Sequence, residues 1–167
     1  HTAGACRLGL LARGLVGGTP QTALLELHGS FARTGEGHGT DKALVAGLLG
    51  FRPDDERSRT ALEIADGEGL EYSFEKTTIS EESHPNTVRI TVARGPRRAV
   101  MVGSSLGAGR VLVTEIDGYP VDISGNFYSI VILAADVKGS IARVTHILSD
   151  HDINIATLKL TRKQRGG

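Results

Sequence analysis

"NTVRITVARGPRRAVMVGSSLGAGRVLVTEIDGYPVDI", residues 86–123, is assembled from short runs rich in Val, Ile and Thr. Residues 86–94, 97–105 and 109–123 alternate apolar with polar positions or concentrate β-branched side chains, and Gly and Pro stand at the breaks. This is the pattern of strands joined by turns, because successive side chains of a strand point to opposite faces of its sheet. "LEYSFEKTTI", residues 70–79, reads as a further strand. The expected sheet is antiparallel.

Upstream the period lengthens. "TAGACRLGLLARGLVGGTP", residues 2–20, predicts a helix, with Thr2 as its cap and Leu8, Leu11 and Leu15 on one face. Gly17 and Gly18 end it and Pro20 follows the stop. Its many small residues suit close approach by another backbone. "QTALLELHG", residues 21–29, reads as a strand. Residues 40–49 predict a helix from Thr40 or Asp41, with Leu44, Val45, Leu48 and Leu49 apolar and Gly50 as terminator. "RPDDERSRTALEIADGEG", residues 52–69, predicts a second helix after Pro53 with acidic residues in its first turn. Helices early and a sheet later make residues 1–124 an α+β domain.

"SGN", residues 124–126, marks a boundary, and residues 125–167 form a second unit. "FYSIVILAADV" (127–137) predicts a strand apolar on both faces. "KGSIARVTHILSDHD" (138–152) predicts a helix with Ile141, Val144 and Leu148 on one face, and "INIATLKLTR" (153–162) another strand. The chain opens on His1 rather than Met and stops after a strand with no partner, so a fragment of a longer protein is expected.

Composition narrows the function. Lys plus Arg and Asp plus Glu are both 19 in 167 residues, giving a formal net charge of zero. A general nucleic-acid or anionic-membrane binder needs a basic excess. Aromatic residues are 4% and Trp is absent, so no base-stacking platform is evident. No apolar run approaches the roughly 18 residues of a membrane span. Cys6 is the only cysteine, which excludes an internal disulfide and cannot hold a metal cluster alone.

Polar chemistry concentrates in "LHGSFARTGEGHGTDKALVAGL", residues 27–48. Between one strand and one helix stand His28, Ser30, Arg33, Thr34, Glu36, His38, Thr40, Asp41 and Lys42, threaded through glycines. The pattern describes a glycine-lined loop suited to a small anionic ligand. It is not a phosphate-binding Walker A loop, since no Gly-Lys-Ser/Thr follows, nor the G-x-G-x-x-G dinucleotide pattern. "GSSLGAGR", residues 103–110, also fails the dinucleotide test, because a strand rather than a helix follows it. His28 and His38 lack the compact spacing and cysteine partners of a zinc site.

Residues 127–162 resemble the first βαβ of an ACT domain, a ferredoxin-like regulatory module, through the run "ADVKGSIARVTHILSDHDINIATLKL". Residues 1–125 resemble the β subunit of the bacterial iron–sulfur-dependent L-serine dehydratases. Four motifs in order carry that likeness: "HTAGA", "LHGSFARTGEGHGTDKALVAGLLG", "HPNTVRI" and "VGSSLGAGRVLVTEIDG". In that family the His-Thr motif follows a serine-rich loop, which is absent here. The resemblance implies a serine dehydratase β-type domain (1–124) followed by a partial ACT domain (125–167). It implies deamination of L-serine to pyruvate and ammonia, with a [4Fe–4S] cluster held by a partner α subunit. It also implies a cytoplasmic enzyme of amino-acid metabolism and gluconeogenesis, with homo-oligomers through the β/ACT region and no nucleic-acid or membrane partner. A related domain serves as a substrate-binding regulatory module in some phosphoglycerate dehydrogenases, which supplies a non-catalytic alternative. A generic ACT-containing dimerisation protein is a third.

Dehydration of serine needs a Lewis acid at the hydroxyl, a base for the α-proton, and groups that hold carboxylate and amine. His38, flanked by glycines, is the candidate base or a solvated loop histidine. His28 is a second candidate or a structural histidine, and the family motif adds His1. Ser30, Thr34 and Thr40, with backbone N–H groups around Gly35, Gly37 and Gly39, are candidate carboxylate donors. Lys42 is a candidate or a surface lysine. Ser104 and Ser105 are candidates for substrate or partner contact or members of a hairpin loop. His84 precedes a Pro and is a turn residue or a site residue. His146 and His151 receive no catalytic role. In the ACT-like part an amino-acid effector is expected at Gly139, Ser140 and Asn154, the first two at a helix N-terminus.

Overall fold

The quoted stretch becomes four strands rather than three. In a computed structural model, which describes residues 2–34 and 39–161, they are β3 (Thr87–Arg94), β4 (Arg97–Gly107), β5 (Arg110–Ile116) and β6 (Tyr119–Ile123). The run 109–123, expected as one strand, is split by Asp117 and Gly118, whose φ angles of 49° and 77° build a two-residue hairpin. Two positive φ angles match the right-handed twist of the flanking strands. Asp117 also closes its turn, donating its N–H to the Val100 carbonyl and accepting Val100 N–H on Oδ1, both at 2.8 Å.

Two earlier strands complete the sheet: β1 (Thr22–Leu27) and β2 (Glu71–Lys76). The order is β2-β1-β3-β4-β5-β6. From β1 through β6 all neighbours are antiparallel, as expected, but β2 joins β1 in parallel. A parallel pair needs a long crossover, and the helical segment between β1 and β2 supplies it. That segment holds α2 (Gly29–Thr34), α3 (Thr40–Leu49), a 3₁₀ turn (Glu56–Thr60) and α4 (Ala61–Glu68). The helix expected directly after Pro53 therefore starts later. Asp55 caps the 3₁₀ turn instead, accepting Arg57 N–H at 2.9 Å while its carboxylate pairs with the Arg57 guanidinium at 2.6 Å.

One face of the sheet carries the core. Ala23, Leu25 and Leu27 of β1, Val88, Ile90 and Val92 of β3, and Val111, Val113 and Ile116 of β5 are buried together with Leu8, Leu44, Val45 and Leu48 of the helices. The alternation read from the sequence sets which side chains these are. The N-terminal helix α1 (Thr2–Leu15) forms where expected, but Thr2 is its first turn rather than its cap. Its buried face differs too: Gly4, Ala5, Cys6, Leu8, Gly9 and Ala12 are buried, while Leu11 and Leu15 are only partly so. The cause is a close crossing with α3. A Cβ built at Gly9 would collide with the Leu44 carbonyl oxygen, and one at Gly47 with the Cys6 carbonyl oxygen. No described helix is long and apolar enough to cross a membrane. The fold is α+β.

The chain divides into compact units at Tyr128/Ser129, a few residues beyond the expected boundary. In the second unit the expected helix forms as α5 (Ser140–Asp150). The flanking runs, expected as strands, form no strand among the described residues. Extended segments become strands only by laddering against a neighbour, and Ile130, Ile132, Leu133, Leu158 and Leu160 remain exposed.

Candidate functional site

The motifs singled out in the sequence meet at one end of the sheet. β1 ends at Leu27, and His28 extends the ladder by donating its N–H to the Thr87 carbonyl at 3.0 Å. Gly29 then turns the chain with φ 57°, and a Cβ there would stand 2.8 Å from Pro85 Cα, so only glycine fits. Ser30 and Phe31 donate their N–H groups to the Pro85 carbonyl at 2.6 and 3.4 Å. The supposed loop after His28 is thus the short helix α2, and its leading N–H groups are filled by the "HPNT" turn.

From that turn the path leads to β4 and both longer helices. Ser105 N–H donates to the Asn86 carbonyl at 2.9 Å. The Ser105 side chain lies against Gly4 in the first turn of α1: a Cβ built there would fall on its Oγ and 2.8 Å from its Cβ. Thr2 of the same turn borders the start of α3, with its Cγ2 3.6 Å from a Cβ built at Gly39. The ends of β1 and β4, the start of β3 and the N-termini of α1 and α3 therefore share one locus.

Two atoms there carry chemical potential that the fold does not use. Asn86 Oδ1 and Ser105 Oγ are buried without a hydrogen-bond partner in residues only 8% and 0% exposed. A buried polar atom left unsatisfied costs about 1–3 kcal/mol; Arg13 Nε and Ser58 Oγ are in the same state. Asn86 was not among the sequence candidates. Its only signal was an amide side chain following the Pro turn and preceding an apolar strand.

His28 and His84 are each held by a backbone N–H. His28 Nδ1 accepts Ile79 N–H at 3.2 Å, and His84 Nδ1 accepts Asn86 N–H at 3.1 Å. A backbone N–H can only donate, so each neutral ring carries its proton on Nε2. Both rings offer a donor rather than a free basic nitrogen. His84, exposed, also lines a cleft of about 340 Å³ with Ser80, Ser83, Thr87 and Ser104.

The other candidates separate. Ser104 and Ser105 do not lie in a loop; both are in β4, whose hairpin turn is only Ala108 and Gly109. As neighbours in a strand they face opposite sides: Ser105 meets α1, whereas Ser104 Oγ lies 2.6 Å from Thr87 Oγ1. Thr34 Oγ1 donates to the Ser30 carbonyl at 2.7 Å, and Ser30 Oγ accepts from Arg33 at 3.1 Å. Thr40 is buried in the first turn of α3. Lys42 is exposed, and its N–H is held by the Asp41 carboxylate at 2.8 Å. His1, Gly35, Gly37 and His38 lie outside the described residues. In the second unit Gly139 precedes α5 with φ 88°, Ser140 donates its hydroxyl to the Val137 carbonyl at 2.9 Å, and Asn154 is exposed. His146 faces Asp150 at 3.4 Å and His151 Nδ1 lies 2.9 Å from the Ile147 carbonyl, both within the reach of their own helix.

No group of three or more His, Cys, Asp or Glu among the described residues is placed to hold a metal. Cys6 is unsuited to one. Its thiol donates to the Phe51 carbonyl at 3.2 Å, and burial, with the nearby Asp55 and Asp54 carboxylates, pushes its pKa from 9.0 up to about 11. The locus thus combines helix N-termini, which attract a carboxylate, with an amide oxygen and a hydroxyl that have no hydrogen-bond partner.

Comparison with known proteins identifies the family. The family profile described as "Serine dehydratase beta chain" matches residues 10–68. The chain is 39% identical over 166 residues to the protein named "Probable L-serine dehydratase, beta chain" from Bacillus subtilis, covering 99% of this chain and 75% of that one. It is 37% identical to the "L-serine dehydratase, beta chain" of Peptoniphilus asaccharolyticus, covering 99% and 74%. A "D-3-phosphoglycerate dehydrogenase" of Bacillus subtilis shares 32% identity over 127 residues, 75% of this chain but 24% of the dehydrogenase. Near-complete alignment with two dehydratase β chains places the quoted strands, the polar stretch and the "HPNT" turn in one known framework: the chain belongs to the serine dehydratase β-chain family.

Proposed function

We propose that this chain is the β component of an L-serine dehydratase and forms its substrate cleft against a cluster-bearing α subunit, converting L-serine to pyruvate and ammonia. The observation that carries the site is the pair of unsatisfied buried atoms, Ser105 Oγ against the first turn of α1 and Asn86 Oδ1 in the turn whose carbonyl takes the Ser105 N–H. The N-terminal N–H groups of α1 take the substrate carboxylate. Asn86 Oδ1, an acceptor, takes the ammonium, and Ser105 adds a hydroxyl. His28 and His84 donate from Nε2, and the α-proton is assigned to His38, the candidate base of the "GEGHGT" segment, with His1 of the "HTAGA" motif as a further candidate.

Cys6, the one cysteine of the sequence, cannot supply the thiolates of a [4Fe–4S] cluster, which we assign to the partner. When bound there it supplies the Lewis acid for the leaving hydroxyl. The further parts of the proposal are a dehydratase β-type domain in residues 1–124 and a partial ACT domain from 125, with an effector at Gly139, Ser140 and Asn154. The enzyme is placed in the cytoplasm, as a homo-oligomer through the β/ACT region, in serine catabolism feeding gluconeogenesis.

The test is reconstitution: the chain is mixed anaerobically with its α partner and pyruvate formed from L-serine is measured. Turnover is expected only with both chains present, and His38→Ala lowers kcat by roughly 10²–10⁴-fold, the usual worth of a general base. Unchanged turnover in that variant removes the base assignment. A second reading, a serine-binding regulatory module, is favoured by the 32% identity to a phosphoglycerate dehydrogenase. It is supported instead if the isolated chain binds serine while the mixture makes no pyruvate.

A further inference from the structure

Thr87 and Ser104 belong to the strands that form this locus, and their hydroxyls tie it to the His84–Pro85–Asn86 turn. Thr87 Oγ1 lies 2.6 Å from the His84 carbonyl oxygen and 2.6 Å from Ser104 Oγ. A carbonyl oxygen only accepts, so the single Thr87 hydroxyl proton goes to His84. Ser104 must then donate across the second contact, and its own proton is spent. Both residues are buried, at 2% and 6% exposure. They also face each other in the β3–β4 register, which fixes their backbones. The chain of donors therefore has one direction, from β4 to β3 to the turn.

That direction matters because of what the turn presents. The same His84–Pro85–Asn86 segment that Thr87 holds by its carbonyl places Asn86 N–H on His84 Nδ1 at 3.1 Å. It also offers the Pro85 carbonyl to the N-terminus of α2 and the Asn86 carbonyl to Ser105. Rotation of the His84 peptide would break the Nδ1 contact, free the ring to carry its proton on either nitrogen, and move the Asn86 side chain.

We propose that Thr87 and Ser104 are positioning residues: their ordered hydroxyl pair locks the His84–Pro85–Asn86 turn, and so sets the Nε2–H tautomer of His84 and the aim of the Asn86 amide. Ser104, a candidate substrate contact by sequence, acts through Thr87 instead. The inference deepens the dehydratase reading and rests on it for its kinetic arm alone.

The test uses Thr87→Val, which keeps the shape and removes the hydroxyl, Thr87→Ser, which restores it, and Ser104→Ala. In the reconstituted enzyme Thr87→Val is expected to lower kcat/KM for L-serine by roughly 10- to 100-fold, the scale of a misplaced reacting group. Ser104→Ala, which leaves the donor to His84 in place, loses less, and Thr87→Ser recovers most of the activity. In the full chain labelled with ¹⁵N-histidine, at about pH 8.5 where ordinary imidazoles are neutral, the His84 ring is expected as the Nε2–H tautomer. It becomes a tautomer mixture in Thr87→Val; His84→Gln identifies the signal by its loss. An unchanged His84 tautomer in Thr87→Val overturns the proposal whatever the activity, and so does Thr87→Ser losing as much as Thr87→Val. If the wild-type mixture makes no pyruvate, the ring spectrum still decides the positioning claim, so failure of the dehydratase reading is told apart from failure of this one.

Discussion

Replacing Gly47 by alanine tests the helix crossing that carries α1 to the site. Alanine is the better helix former, by about 0.8–1.0 kcal/mol in a helix interior. Against that, the added methyl would strike the Cys6 carbonyl oxygen and stand 2.7 Å from Leu10 N and 2.8 Å from Gly9 Cα, well inside ordinary contact at about 3.5–4.0 Å. All these atoms are backbone, so no rotamer change relieves them and α1 must move away from α3. Overpacking of this kind costs about 1–3 kcal/mol. Backbone against backbone belongs at the upper end, and the propensity gain leaves a net loss of about 1–2 kcal/mol. For a unit of this size that lowers Tm by roughly 3–8 °C. Thr2, Gly4 and their N–H groups move with α1, so serine turnover falls as well. Gly14 in α1 and Gly67 in α4 have nothing within 4 Å of an added Cβ, and alanine at either is expected to be neutral or to stabilise by up to about 1 kcal/mol. Thermal and urea unfolding of the three variants measure the difference in sign. A Gly47→Ala chain as stable as wild type, or a Gly14→Ala chain destabilised like it, would refute the close-crossing argument.

Further outcomes follow from single side chains. Ser105→Ala removes a buried hydroxyl that has no partner, so the isolated chain is expected to unfold within about 0.5 kcal/mol of wild type or later, while serine affinity measured by calorimetry falls. Arg7→Met breaks guanidinium bonds to the Gly109 carbonyl (2.8 Å), the Gly125 carbonyl (2.9 Å) and Asn126 Oδ1 (3.0 Å). A cost of about 1.5–3 kcal/mol is expected, with hydrogen exchange accelerated first at residues 124–126. The Cys6 thiol holds its proton more tightly folded, up to about 11, than at its ordinary 9.0. The folded state therefore binds more protons between these values, and stability falls as pH rises from about 9 to about 11. Cys6→Ser is expected to flatten that part of the unfolding profile, and a slope unchanged by it would assign the loss to other groups.

Local pattern carried much of the architecture. Alternation in residues 86–123 located the strand runs, and the two-residue period fixes which side chains turn inward once one face is buried. Helices α1, α3 and α5 were legible from spacing and from glycine stops, and Gly50 closes α3 with φ 93° as read. The hairpin at Asp117 and Gly118 was missed although the Asp-Gly pair signals it. The late start of α4 was missed because the Asp55–Arg57 pairing competes with the first helical turn.

The chemistry was legible as a list but not as a place. The sequence supplied the residue types, the four motifs and the family. It also grouped Ser104 with Ser105, and it treated the stretch after His28 as open loop. Only the folded backbone separated the two serines to opposite faces, filled the start of α2 with the Pro85 carbonyl, and brought Ser105 to the first turn of α1 with its N–H on the Asn86 carbonyl. The parallel docking of β2, the α1–α3 crossing at Gly9 and Gly47, and the tautomers of His28 and His84 were likewise settled in three dimensions. The physical reason is range. Strand and helix periods are written within a few neighbouring residues, whereas a hydrogen bond from Ile79 to His28, or a collision avoided between Gly47 and Cys6, joins residues whose proximity no local pattern encodes.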